Sequence, residues 1–322
     1  MLLTNIQILR AFAVLNVVTI HSIYFAISNN FSSSFLFFLK NFEASGVDIF
    51  FVISGFIIYY IHIKKNRNGF DFILQRIKRI VPLYWFYSSV LFIFYLLFPF
   101  LFNKYTSDFN NFFLSLLFLS NTFFNKLPVY PLGWTLELEF FYYLIFGLLI
   151  IFIGKKNYFL FFIMFFIILF SLTINLIFIE FLYGIFIGIF YFNNKKKLKY
   201  IISKYSYILL LIGIIGIFLP PFISLNYNRV VLYGLPSFFM VLGAVFLKQS
   251  SNKILIFLGD ASYSIYLTHL IILGIFFKLM KFLIPNFEPI VTFLSSIIIC
   301  LLFGSALYLV IEKRIINYLK RF

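Results

Sequence analysis

Apolar runs of about twenty residues recur along this chain with hardly a charge inside them, and they leave few ways to fold. A backbone in lipid must satisfy its own N–H and C=O groups, so runs of this kind become helices. At about 1.5 Å per residue, each is long enough to cross a hydrocarbon core of about 30 Å. Ten are legible, at 6–28, 44–63, 80–102, 132–154, 157–173, 176–193, 205–223, 229–248, 261–283 and 289–311. The stretch 112–120 is too short to cross and reads as an interfacial or re-entrant helix. Only 11% of the residues are charged, against roughly a quarter in soluble domains. The expected fold is all-α: a polytopic membrane protein with about ten transmembrane helices in a single domain spanning 1–322. No soluble domain, linker or internal repeat is legible.

Charge sets the orientation, because Lys and Arg concentrate on the cytoplasmic side. They gather at Lys64, Lys65, Arg67, Arg76, Lys78 and Arg79, at Lys155 and Lys156, and at Lys195, Lys196, Lys197, Lys199 and Lys204. Further groups are Lys248 and Lys253, and Lys313, Arg314, Lys320 and Arg321 near the end. These fall on alternate connections, so both termini are expected in the cytoplasm. The net charge of +16 then reads as loops facing anionic lipid, not as a nucleic-acid surface. A lone cysteine, Cys300, excludes a disulfide framework. No basic n-region precedes the first span, so a cleavable signal is not expected. A multi-pass protein of the plasma or inner membrane is the expectation.

Inside so apolar a chain, ionisable residues point to function. Arg10 and His21 are 11 residues apart in the first span, which places them within about 20° on one helix face and about 16 Å apart. Arg76, Lys78 and Arg79 lie toward the cytoplasm, as does Asp260. His21, Asp48, Trp134, Glu137, Glu139 and Glu180 lie toward the outside, and His269 falls mid-membrane. An imidazole with a nearby carboxylate is the minimum for general-base catalysis. Arginines at an inner mouth suit a phosphorylated ligand. Glu137 and Glu139 are roughly 200° apart on a helix, so they face different surroundings. His62, beside basic residues at a span end, reads as interfacial.

Six segments resemble the acyltransferase 3 family of integral membrane acyltransferases, in family order. They are Leu9-Arg10-Ala11 with His21; Gly46-Val-Asp-Ile-Phe-Phe-Val-Ile-Ser-Gly-Phe56; Arg76-x-x-Arg79-Ile-x-Pro-x-Tyr-Trp85; Trp134-Thr-Leu-x-x-Glu139-x-x-x-Tyr143; Leu258-Gly-Asp-x-Ser-Tyr-Ser-Ile-Tyr-Leu-x-His269; and Ile311-Glu312-Lys313. Departures are Gln7-Ile8 where the family has Asp-Gly, Phe140 where a second acidic residue is usual, and Glu137 where a small residue is common.

The resemblance implies acyl transfer, usually acetyl from acetyl-CoA, to a hydroxyl of an extracytoplasmic carbohydrate. It implies His21 as the essential histidine and Glu139 as the family's glutamate; read as chemistry, His21 acts as base or briefly carries the acyl group, with Asp48 or Glu139 orienting it. It implies Arg10, Arg76 and Arg79 as residues for the acyl-CoA donor. Trp134, Glu137, Tyr263 and His269 are candidates for substrate binding, and no metal is expected. The rival reading is a transporter or flippase for a lipid-linked saccharide, using the same core charges without chemistry. Against it stand the donor-like arginines and the absence of a legible inverted repeat.

Overall fold

A computed structural model describes residues 3–65, 68–98, 108–153, 176–192, 196–222 and 227–319. The helices are α1 (Thr4–Ser28), α2 (Ser34–Leu39), α3 (Gly46–Lys65), α4 (Gly69–Leu97), α5 (Phe109–Leu116), α6 (Ser120–Phe124) and α7 (Gly133–Ile153). Then come α8 (Phe178–Phe192), α9 (Lys196–Phe218), α10 (Leu235–Phe246), α11 (Lys253–Leu283), α12 (Pro289–Leu307) and α13 (Lys313–Leu319). Among the described residues, seven helical runs are long and apolar enough to cross a membrane: α1, α3, α4, α7, α9, α11 and the continuous α12–α13 run. Two shorter apolar helices match the expected spans at 176–193 and 229–248. The expected span at 157–173 lies outside the described residues, as do Arg67, Lys155 and Lys156.

Four boundaries differ from the sequence reading by two turns or more. Two of them are the seventh span, which starts at Lys196 and not 205, and the tenth, whose helical run continues to Leu319 and not 311. The third span begins at Gly69, not near 80, because the basic stretch continues the helix instead of forming a connection. Asn68 caps it, its side chain accepting from the amide of Asp71 at 2.7 Å. Pro82 sits inside and removes one ladder hydrogen bond. The ninth span starts at Lys253, two turns before 261, behind an Asn252 cap that accepts from Ile254 and Leu255. The stretch read as interfacial or re-entrant forms the short helices α5 and α6, separated by Phe118 in a left-handed conformation, φ 60°.

The chain forms two compact units. The first comprises Met1–Tyr60 and Ile179–Lys313. Its core joins Ile6, Leu9 and Ala13 of α1 to Val52 and Phe56 of α3, Ile187 of α8, Ile217 of α9 and Val241 of α10. Asn5 fastens the end of α10: its Nδ2 donates to the carbonyls of Ala244 (3.0 Å) and Lys248 (3.1 Å), and its Oδ1 accepts from Ser250 N (2.9 Å). These contacts satisfy carbonyls that a helix end leaves open.

Small residues set the helix crossings, as expected where lipid gives no hydrophobic incentive to pack. Gly46 lies against the Ala13 carbonyl, and Gly259 against the Gln7 carbonyl. α1 and α11 run parallel, since Gln7 meets Gly259, His21 meets His269 and Phe25 stacks on Phe277. A Cβ at Gly259 would come within 2.0 Å of Gln7 O and 2.8 Å of Gln7 Cα, so backbone would have to move. Gly259→Val is therefore expected to cost at least ~3 kcal/mol, the upper end for overpacking, read as a lower melting temperature in detergent. A variant that melts with wild type would show that the two helices are not held at this point.

Along α12, Leu294, Ile298 and Leu302 recur every fourth residue and are each more than half exposed. They form an apolar stripe of the kind that faces lipid.

The second unit comprises Ile61–Phe178 and Arg314–Phe322. There α4 packs on α7, and Gly69 lies against the Gly147 carbonyl. His62, read from sequence as interfacial, is buried with its ring edge-on to Phe146.

Candidate active site

α1 presents Arg10 and His21 toward α11 and α12, as their shared helix face requires. His21 is partly buried, and its Nδ1 lies 2.8 Å from Nε2 of His269 on α11. The two rings lie nearly parallel and edge to edge, with centroids 5.0 Å apart and an interplanar angle of 19°, as an in-plane N–H···N hydrogen bond requires. His269 is fully buried, and its Nδ1 donates to the Tyr266 carbonyl at 2.7 Å. Next to His21, Ser22 hydrogen-bonds Ser296 on α12. Cys300 on the same helix sits with its Sγ 3.9 Å from the His269 carbonyl.

Nearer the start of α1, Arg10 donates to Gln7 Oε1 at 3.3 Å. Tyr308 lies within electrostatic reach of Arg10, Asp260 and Glu312. Glu312 is buried and accepts from Ser264 Oγ at 2.5 Å. A π-helical turn over Tyr308–Glu312 supplies Glu312, and a second such turn covers Val230–Gly234. Tyr263, on α11, is partly buried.

Asp48 does not take the place beside His21 that the sequence suggested. It is 1% exposed, and both its oxygens accept from Arg229, Oδ1 from Nε at 3.0 Å and Oδ2 from Nη2 at 2.6 Å. Arg229 also donates to Glu43 Oε2 at 2.6 Å and to the Ala44 carbonyl at 3.2 Å. Glu180, fully buried, lies close enough to Asp48 to feel its charge. The neighbour that holds the His21 ring is a second imidazole. The signal for Arg229 in the sequence is a lone arginine opening the apolar span expected at 229–248. A cavity of about 300 Å3, lined in part by Phe12, Asn16, Thr19 and Glu43, lies on the α1 face turned away from His21.

In the second unit, Glu137 and Glu139 face different surroundings. Glu137 is fully buried, and its Oε2 accepts from the amides of Asn121 (2.9 Å) and Thr122 (3.0 Å) and from the Thr122 hydroxyl. That contact ties α7 to the start of α6. Glu137→Ala is expected to cost ~1–3 kcal/mol by stranding two amides, while Glu137→Gln, which keeps an acceptor, melts close to wild type. Equal melting of the Ala variant and wild type would remove that staple.

Glu139 accepts from the Tyr143 hydroxyl. Arg76 is buried, its guanidinium 5.6 Å from the ring centroids of both Phe72 and Tyr143. Its Nε carries no hydrogen bond among the described residues. Arg79, three residues on, is exposed, and Trp134 is partly buried in the first turn of α7. Among the described residues, no group of three or more His, Cys, Asp or Glu side chains is placed to hold a metal ion.

These features describe a multi-pass membrane protein that carries a hydrogen-bonded imidazole pair on two facing helices. The chain matches the family described as "Acyltransferase domain" over residues 3–309; it belongs to that family and is an acyltransferase. It is similar to the exopolysaccharide production protein ExoZ of Rhizobium meliloti (strain 1021), with 26% identity over 305 residues, covering 85% of this chain and 90% of the relative. No solved structure matches the chain.

Proposed function

We propose that this acyltransferase moves an acyl group, acetyl foremost, from cytoplasmic acyl-CoA to a hydroxyl of an extracytoplasmic or lipid-linked carbohydrate. The observation that carries the reading is His21, an imidazole within an apolar helix whose Nδ1 is engaged by a second buried imidazole. The relative's role in exopolysaccharide production supports a polysaccharide acceptor. The alternation of basic connections supports cytoplasmic termini and a plasma or inner membrane. The continuous family match supports one domain across the chain.

In this reading His21 Nε2 takes the proton of the acceptor hydroxyl as its oxygen attacks the thioester carbonyl. The C–O bond forms, the C–S bond breaks, and the CoA thiolate leaves and receives the proton. The products are the O-acyl sugar and free CoA. Arg10 lies on the same face of α1, where its charge suits the donor phosphates. Arg76 and Arg79 carry the same assignment from their place in the Arg-x-x-Arg segment.

The test is transfer of label from radiolabelled acetyl-CoA into saccharide in inverted membrane vesicles. Wild type is expected to label a saccharide fraction. Vesicles that label none, with acetyl-CoA, succinyl-CoA and a longer acyl-CoA each offered as donor, would overturn the reading.

A further inference from the structure

The hydrogen bonds around the imidazole pair admit one arrangement of protons. The Tyr266 carbonyl oxygen can only accept, so Nδ1 of His269, 2.7 Å away, carries a proton. His269 is 0% exposed, where a neutral ring is favoured over a charged one. Its Nε2 is then a bare lone pair, 2.8 Å from His21 Nδ1. The proton between the two rings must belong to His21, which leaves the His21 lone pair on Nε2.

We infer that His269 is a positioning residue for acyl transfer: through its contact with Nδ1 it holds His21 in the tautomer whose basic atom is Nε2. The inference rests on the reading of His21 as the base. The order is Tyr266 carbonyl, His269, His21, acceptor hydroxyl, with each ring donating from Nδ1 to the acceptor behind it. As His21 takes up the hydroxyl proton at Nε2 it becomes an imidazolium. Its Nδ1–H bond to His269 is then charge-assisted and stronger, so the contact tightens as charge develops. No proton passes to His269; the one gained by His21 goes on to the thiolate. A neutral imidazole does here what a carboxylate does elsewhere, without placing a second charge in the apolar interior.

The experiment compares wild type, His269→Leu and His269→Gln for kcat and for KM toward acetyl-CoA, at matched protein levels in membranes. The Leu variant keeps bulk and loses the acceptor; the Gln variant offers an amide oxygen near the lost Nε2. His269→Leu is expected to lower kcat ~100-fold with KM within ~3-fold, and His269→Gln to recover ~10-fold of that loss. A Leu variant with wild-type kcat, or Leu and Gln variants equally depressed, would overturn the inference. Diethyl pyrocarbonate labelling of His21, read by mass spectrometry, needs neither donor nor acceptor. It is expected to slow several-fold in the Leu variant and to recover in the Gln variant. That order in a protein that transfers no acetyl label sinks the donor assignment and keeps the pairing; unchanged labelling in the Leu variant sinks the pairing.

Discussion

His21→Ala is expected to remove detectable transfer of label from acetyl-CoA while the amount of protein in the membrane stays the same. Loss of a positioned general base costs ~10²–10⁴-fold, so a fall of at least ~10²-fold is expected. Stability should change far less. The His21 side chain is only partly buried, and its deletion leaves one acceptor unmet, His269 Nε2, at a cost of ~1–3 kcal/mol. Label transfer and immunoblotting of the same vesicles separate the two effects. Transfer at wild-type rate in this variant would place the base elsewhere in the molecule.

The largest loss of stability is expected from Arg229→Ala. This guanidinium meets Asp48 through two nitrogens and reaches Glu43 with a third, while Glu180 lies alongside. Without it the Asp48 carboxylate, 1% exposed, is buried without its counter-charge. Breaking a buried pair from one side costs ~3–5 kcal/mol, which in a thermal melt should move the transition down by many degrees. Combining Arg229→Ala with Asp48→Asn should recover part of the loss, the signature of direct coupling. The same pair of variants decides what Asp48 does. As an anchor, Asp48→Asn alone lowers the melting temperature, and its activity follows the folded fraction. An Asp48→Asn protein that melts like wild type but transfers nothing would return that carboxylate to the chemistry.

Hydropathy carried most of the fold because each helix had to satisfy its own backbone, which made length and apolarity enough to find it. It failed at the start of α4, where a hydropathy window sees Arg76, Lys78 and Arg79 as a loop. Lys and Arg are good helix formers, and Arg76 buries its charge between two aromatic rings. The shared face of Arg10 and His21 was legible from spacing alone, and so was the divergence of Glu137 and Glu139. The partners were not. His269 is 248 residues from His21, and Asp48 is 181 from Arg229. Spacing within one helix cannot reveal which distant helix comes to lie beside it. The carboxylate expected next to His21 was a reasonable default, because Asp and Glu are the usual partners of a catalytic imidazole. The ring of His269 occupies that place instead.

The approach of Gly259 to the Gln7 carbonyl reaches beyond stability. With no side chain between them, α1 and α11 are registered main chain to main chain, and the two imidazoles inherit that register. The separation of His21 from His269 is thus a property of the backbone, and on the proposed function it is independent of the residues that would recognise an acceptor. A lineage could exchange one acceptor for another by altering side chains around the pair, generation after generation, without retuning the base. On the proposed function, choice of acceptor and the transfer step would then rest on separate parts of one molecule.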